Sequence, residues 1–311
     1  KEQILASGFN RNHKITQEGG VVPEEYRVEY VADRTVTSAK IMMGLTVECA
    51  RCHTHKYDPI SHDEFFSFYS FFNNVDEDGL IVYGDTAPKP NLTISAKDIK
   101  KDLPFVNLPD SINNVTLMVM KETENLRNTY VLNRGSYDSP TRLVKPSTPE
   151  VVLKFDEQKY SSDRIGLSKW FFDKDNPLTS RVTVNRLWQQ FFGIGIVATP
   201  DDFGSQGNKP FNPELLDWLA YTFQNKDNWD TKKFIKRIVM SSTYKQSSKV
   251  KKENRLKDSD NTYLANYPRQ KLSAEMIRDN ALATSGMLVE KIGGPSVKPM
   301  QPPNLWNEVT G

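Results

Sequence analysis

Cysteine is scarce: the 311-residue chain has two, alongside four histidines. Two cysteines cannot staple a disulfide-rich scaffold, so the fold must rest on a hydrophobic core. Hydrophobic residues make up 37% and charged residues 26%, enough apolar surface for a core and too much for a disordered tail. An excess of charge of one sign is also lacking. Lys and Arg number 41 against 39 Asp and Glu, a formal net charge of +2, which gives no electrostatic reason to expect nucleic acid as a partner. No long uninterrupted apolar run occurs, so nothing in this segment reads as a membrane span. Neither an initiator Met nor a signal-peptide pattern stands at Lys1, and the last residues, 305–311, stop without a helix stop. The chain reads as an internal piece of something longer, for which an absent targeting signal is uninformative.

What is present is largely helical patterning. Residues 1–20 read as irregular. Pro23 followed by Glu24 and Glu25 reads as a helix start, with carboxylates at the positive end of the dipole. Val28, Val31, Ala32, Thr35, Val36, Ala39 and Met43 keep a helical period up to a stop at Gly44. Ser61 with Glu64 three residues later is a capping box, opening a helix through Phe65, Phe66, Phe68, Tyr69, Phe71 and Phe72 that should be buried. Residues 75–114 lose periodicity, with a short strand at 91–94. Val115–Met120 and Thr129–Leu132 read as strands that could pair, and Pro140, Pro146 and Pro149 mark an extended linker. Helices then return: one ending over Leu167–Phe172, Thr179–Phe192 stopped by Gly193, one opened by Asn212 and Pro213, Thr231–Met240, and Ala274–Met287 capped by Ser273. Lys249–Lys257 reads as a solvated basic loop.

The two cysteines lie together in Cys49-Ala50-Arg51-Cys52-His53, a spacing associated with c-type haem attachment. Covalent attachment needs two thiols that reach the two vinyl groups and a nitrogen ligand for the iron. Positions i, i+3 and i+4 of one helical turn put Cys49, Cys52 and His53 on one side. His53 is then the proximal ligand, and the Phe-rich helix could supply the apolar wall that tunes the iron. Two other chemistries stay open. Zinc could be bound by the cysteines with two of His53, His55 and His62, although such ligand pairs usually have a longer loop between them. A redox dithiol is the other, although the strand-to-helix setting of a thioredoxin-like site is absent.

Several long runs resemble a known family. They are Gly8–His13, Glu18–Gly20, Glu25–Glu29 and Gly44–Ile60 in the first half. In the second half they are Asn176–Trp188, Phe192–Gly193, Thr199–Gly207, Pro213–Leu219, Ser241–Ser248 and Gly293–Ser296. These resemble the large planctomycete-type cytochrome proteins, which carry a cytochrome-associated domain of unknown function followed by a second such domain. The resemblance implies a bacterial periplasmic or secreted protein, because haem c is attached outside the cytoplasm. It also implies a longer natural chain, often with a preceding region bearing its own haem motif. It implies little about the reaction.

The remaining candidates each have an ordinary alternative. His13, in the family-like run, could fold back as the distal iron ligand or be a hydrogen-bonded loop histidine. Met42 and Met43 read as core packing rather than iron ligands. His55 and Tyr57 are the weak catalytic candidates: His55 could orient a propionate, bind a second metal or donate a proton, and Tyr57 could hydrogen-bond a propionate, while a histidine bonded to its own loop is the plainer reading. Asp58 reads as a turn cap before Pro59, and His62 as an exposed helix-start residue. Glu25, Glu29 and Asp33 form an acidic stripe; calcium is conceivable there, a solvated face near Arg27 and Arg34 the plainer reading. Arg181, Asn185 and Arg186 suit docking onto a neighbouring segment. Asp201, Asp202 and Gln206 could bind a sugar or a cation, or simply build a turn.

The expected fold is mainly α with a minor β part. A haem c lobe (1–78) is joined through a strand-containing connecting region (79–150) to a helical second domain (151–311), incomplete at its C-terminal end. The expected function is a periplasmic c-type cytochrome module, part of a larger oxidoreductase, carrying electrons through one haem, with a redox partner protein or a further haem domain of the same longer chain as its partner. The alternatives are a catalytic haem enzyme with an open iron site or a sugar-derived substrate, and a binding module with a structural metal.

Overall fold

The computed structural model describes residues 2–106 and 108–291, together with 297, 299, 300 and 303. Its α-helices are α1 (Glu2–Ala6), α2 (Pro23–Met43), α3 (His62–Tyr69), α4 (Ala96–Asp102), α5 (Arg164–Phe171), α6 (Thr179–Phe192), α7 (Pro213–Tyr221), α8 (Thr231–Met240), α9 (Ser242–Lys245), α10 (Lys252–Lys257) and α11 (Ala274–Thr284). Four short strands complete it: β1 (Asn91–Ser95), β2 (Asn114–Met118), β3 (Thr129–Leu132) and β4 (Pro140–Val144). The protein is mainly α with a minor β part.

The chain forms two compact units, one from 1–90 with 119–271, the other from 91–118 with 272–311. The first unit contains two hydrophobic cores. One gathers α2, α3 and α5: Val31, Ala39, Met43, Phe65, Phe66, Phe68, Phe72 and Trp170 are all under 4% exposed. It draws on all three segments set out from the sequence, 1–78, 79–150 and 151–311. Phe68 meets Phe71, Phe72 and Phe171 edge to face at 6.0–6.3 Å, the geometry ring quadrupoles favour. The second core joins α6, α7 and α8 through Val184, Phe192, Leu216, Leu219, Phe223, Phe234 and Ile238. In the second unit β1 pairs antiparallel with β2, Ser95 caps α4, and Ser273 caps α11.

Local signals explain most helix ends. Pro23 starts α2, and Gly44 stops it at φ 61°, a left-handed conformation that glycine adopts without Cβ strain. Both halves of the capping box at α3 are made: Glu64 N donates to Ser61 Oγ (3.1 Å), and Ser61 N donates to Glu64 Oε2 (2.8 Å). Asn212 accepts from Leu215 N ahead of Pro213, and Gly193 stops α6 at φ 80°. Met43 is fully buried and Met42 packs against the same core.

Other expectations give way. Residues 115–120 do not pair with 129–132. The strand there, β2, pairs with β1, and β3 pairs with β4, Thr129 facing Val144. The supposed linker thus supplies a strand at Pro140–Val144, with proline at its first residue, where a missing N–H is tolerated. The turn is a 3₁₀ segment at Asn133–Gly135, with Arg134 at φ 50° and Gly135 at φ 73°. Residues 2–11 are helical, α1 running into a 3₁₀ segment. The basic loop contains α10, α7 continues into a π turn at Thr222–Lys226, and α11 ends at Thr284 rather than Met287. The run 293–296 lies outside the described residues.

Candidate functional site

After Gly44 the chain doubles back: Leu45 N donates to Ala39 O, and Leu45 and Val47 bury their side chains. The cysteine segment then forms a 3₁₀ turn, Glu48–Arg51, rather than a turn of α-helix. Cys52 N (3.2 Å) and His53 N (3.3 Å) both donate to Cys49 O, so the three residues do share one turn. Ala50 is fully buried and anchors it. Cys49, Cys52 and His53 are exposed, and both thiols are free. His53 Nδ1 lies 2.7 Å from Thr54 O. A carbonyl only accepts, so Nδ1 carries the proton and the lone pair sits on Nε2.

Three contacts hold this turn. Arg51 forks onto Glu29 of α2, Nη1 to Oε2 at 2.8 Å and Nη2 to Oε1, and Nη2 also donates to Gly135 O. Arg51 holds the Glu29 carboxyl below its usual range. His62 Nε2 donates to Arg51 O (2.9 Å), which ties the start of α3 to the turn. Gly135 passes so close that a Cβ there would stand 3.1 Å from Arg51 Cγ and 3.3 Å from Cys52 Sγ. The aromatic rings of α3, Phe65, Phe66, Phe68 and Tyr69, are buried in the first core.

His55 is buried, and its Nδ1 accepts from Asp58 N (2.8 Å) and Tyr57 N (3.3 Å), which puts its proton on Nε2. It organises its own loop. Asp58 reaches further than a turn cap, its Oδ1 accepting from Ser205 N at 2.7 Å. Tyr57 is half exposed, with Lys56 Nζ 5.1 Å from its ring centre. His62 is half-buried rather than exposed.

His13 is engaged away from the cysteine turn. Its side chain is 2% exposed; Nδ1 donates to Lys14 O (2.7 Å), Nε2 accepts from Arg34 Nη2 (2.8 Å), and its ring lies on Tyr30. Neither ring nitrogen is left to reach an iron. It belongs to a buried network. Glu77 takes Arg11 Nη1 (2.6 Å) on Oε2, and Arg34 Nη1 (2.6 Å) on Oε1 with Nη2 on Oε2. Arg34 Nε also donates to Asn10 O (2.9 Å). Burial, then Arg34, push the His13 pKa below 6.5. Arginines are ordinarily read as surface residues, and Glu77 lies 43 and 66 positions from Arg34 and Arg11, so no local pattern marks the network.

The acidic stripe is divided rather than pooled: Glu29 is taken by Arg51, while Arg27 is buried against Glu24 and Asn73. Among the described residues no three His, Cys, Asp or Glu side chains converge as zinc or calcium would require. Arg186 does dock: it donates to Ile41 O and Lys40 O (both 2.7 Å) at the C-terminus of α2 and to Asp201. Asn185, fully buried, bonds Val197 N and O, and Arg181 pairs with Asp217. Asp202 Oδ1 accepts from Gly204 N and its carbonyl accepts from Thr199 Oγ1, so Asp202 builds the turn, while Asp201 pairs with Arg186 and Gln206 is exposed.

Two family models match this chain. Residues 1–77 match PSCyt2, a protein of unknown function (DUF1549), and residues 163–311 match PSD1, a protein of unknown function (DUF1553). Both are planctomycete cytochrome-associated domains of unknown function. The cysteine turn, the His55 loop and the whole Glu77 network fall in the PSCyt2 segment. The Arg186 helix and the Thr199–Gly207 loop fall in the PSD1 segment. No curated protein and no solved structure matches the chain.

Proposed function

We propose that Cys49 and Cys52 tether one haem c through thioethers, that His53 is its proximal ligand, and that the protein carries electrons through this group as a module of a larger oxidoreductase. The observation that carries the reading is the state of the turn. Two free thiols stand exposed on it, and His53 has its Nδ1–H satisfied by Thr54 O, which leaves Nε2 as a lone-pair donor. A histidine ligand is ordinarily oriented by such a second hydrogen bond. Bound there, the group supplies a one-electron couple, with its potential set by ligand and burial.

The chain's own part is positional. Arg51, pinned by Glu29 and Gly135, fixes the turn between the two cysteines, and His62 clamps it from α3. Exposure of the turn leaves an approach for a redox partner protein or a further haem domain. Attachment of this kind takes place outside the cytoplasm, so the proposal includes a periplasmic or secreted location. The test is the reduced pyridine haemochrome spectrum after denaturing extraction. A c-type band that stays with the polypeptide, and is lost in a Cys49→Ala/Cys52→Ala variant, is the expected result. Free haem, or none, from protein made in a host competent for haem c attachment refutes the proposal.

A further inference from the structure

A cleft of about 300 Å³ opens between α7, α8 and the segment 241–264 of the first unit. Its inner wall is apolar, with Leu219 and Ile238 buried. It carries two large, exposed aromatic side chains, Trp218 (51% exposed) and Tyr263 (77% exposed); the Arg237 guanidinium lies 5.9 Å over one face of the Trp218 ring, which leaves the other face to a ligand. The site is electrically neutral, because the one charged lining residue, Arg237, is forked onto Asp227, Nη2 to Oδ1 at 2.9 Å and Nη1 to Oδ2. Around the opening stand neutral hydrogen-bonding groups with spare capacity. Among the described residues the hydroxyls of Tyr263 and Thr243 and the amide nitrogen of Asn212 have no hydrogen-bond partner, the Asn212 oxygen being used to cap α7.

We propose that this cleft is a binding site for a neutral carbohydrate, one or two pyranose rings in extent. A pyranose presents a flat face of C–H groups, with partial positive charge, and an equatorial rim of hydroxyls. The C–H face suits the electron-rich face of an indole or phenol, and the hydroxyls suit uncharged donors and acceptors such as those of Tyr263, Thr243 and Asn212. A cationic ligand is disfavoured beside Arg237, and an anionic one would have to compete with Asp227 for it. A volume near the lower end of the usual range for small-molecule pockets, about 300–1,000 Å³, limits the occupant to a small saccharide or the end of a longer one. This site stands apart from the haem proposal: none of its residues touches the cysteine turn, and either can fail without the other.

The test is saturation-transfer NMR on the full chain with a panel of glucose, galactose, mannose, xylose, cellobiose, maltose and lactose, with 1-naphthol as an apolar probe. The expected result is transfer from protein aromatic protons to sugar ring C–H protons, with Trp218→Ala and Tyr263→Ala each weakening binding by roughly 3- to 10-fold, the loss of one aromatic stacking contact. Both rings are exposed, so circular dichroism should be unchanged in the variants, and a Trp218→Phe variant should restore part of the binding. Three outcomes overturn the proposal: no transfer to any sugar of the panel, transfer that both alanine variants leave undiminished, or transfer to 1-naphthol alone, which would make the cleft an apolar site.

Discussion

Glu77 is the residue on which the buried network turns, and its removal gives the sharpest test of the structure. Its side chain is 2% exposed, and the two guanidiniums that it neutralises, on Arg11 and Arg34, are 2% and 1% exposed. Glu77→Gln keeps the volume but removes the carboxylate that Arg11 and Arg34 share. It also turns an NH₂ donor toward one of them. Removing one partner of a buried ion pair costs about 3–5 kcal/mol. For a unit of this size each kcal/mol lowers the melting temperature by about 2–4 °C, so the expected drop is roughly 6–20 °C. The control is Glu24→Gln. Glu24 also pairs with an arginine, Arg27, but its side chain is 54% exposed, and an exposed pair is worth about 0–1 kcal/mol. Thermal unfolding followed by circular dichroism compares the two. If Glu77→Gln and Glu24→Gln melt within about 2 °C of one another, the network is not buried as described and the reasoning fails.

Three further outcomes follow from the same contacts. His13 has a folded pKa below its ordinary 6.5, so the unfolded chain binds its proton more readily; the stability it supports is complete above about pH 6.5 and falls as the pH drops below that value. His13→Gln, which can still accept from Arg34, should therefore flatten the dependence of melting temperature on pH between about 7 and 5, and an unchanged slope would exclude His13 as its source. Arg186→Ala should cost about 1–2 kcal/mol in urea unfolding, since it strips two charged donors from the last carbonyls of α2; a loss near zero would mean water replaces them at no cost. Gly135→Ala should cost roughly 1–2 kcal/mol from its φ of 73° alone, and, in protein made in a host that attaches no haem, a Cβ there should crowd the Cys52 thiol, read as slower alkylation by iodoacetamide; equal rates would place Gly135 away from the thiol.

The features legible beforehand are those that chemistry fixes within a few residues. Pro23 and Gly44 bound α2, Ser61 and Glu64 cap α3, Asn212 and Pro213 open α7, and the Cys49–His53 spacing folds into a single turn. The strand pairing was not legible, because a chain of four or five residues with no strong alternation fits several partners. The hairpin of β3 and β4 is decided instead by Arg134 and Gly135, whose positive φ angles the sequence Asn-Arg-Gly does not announce. The fate of His13 was illegible for a different reason. Its partners, Arg34 and Glu77, are distant in sequence, and a histidine in a run such as Gly8–His13 reads equally well as a ligand or as a loop residue. Only the packing shows that both of its nitrogens are spent.

The resembling runs acquire a physical meaning once these contacts are traced. In Gly8–His13 the Asn10 carbonyl, the Arg11 guanidinium and the His13 ring all enter the Glu77 network, so that run fastens the N-terminal segment to α2. In Thr199–Gly207, Phe203 N donates to Gly44 O and Ser205 N to Asp58 Oδ1, each at 2.7 Å. Both acceptors belong to the run Gly44–Ile60, which contains the cysteines. Arg186, from the run Asn176–Trp188, closes the end of the helix that leads into them. The PSD1 segment therefore braces the PSCyt2 segment at three points around the cysteine turn: before it at the α2 terminus, at its Gly44 hinge, and after it at Asp58. Separating the segments would leave the last α2 carbonyls and a buried carboxylate without these partners, at a cost of about 1–3 kcal/mol for each buried group that stays unpaired. That cost falls on the turn itself rather than on a remote interface, which gives a structural reason for the two segments to occupy one chain.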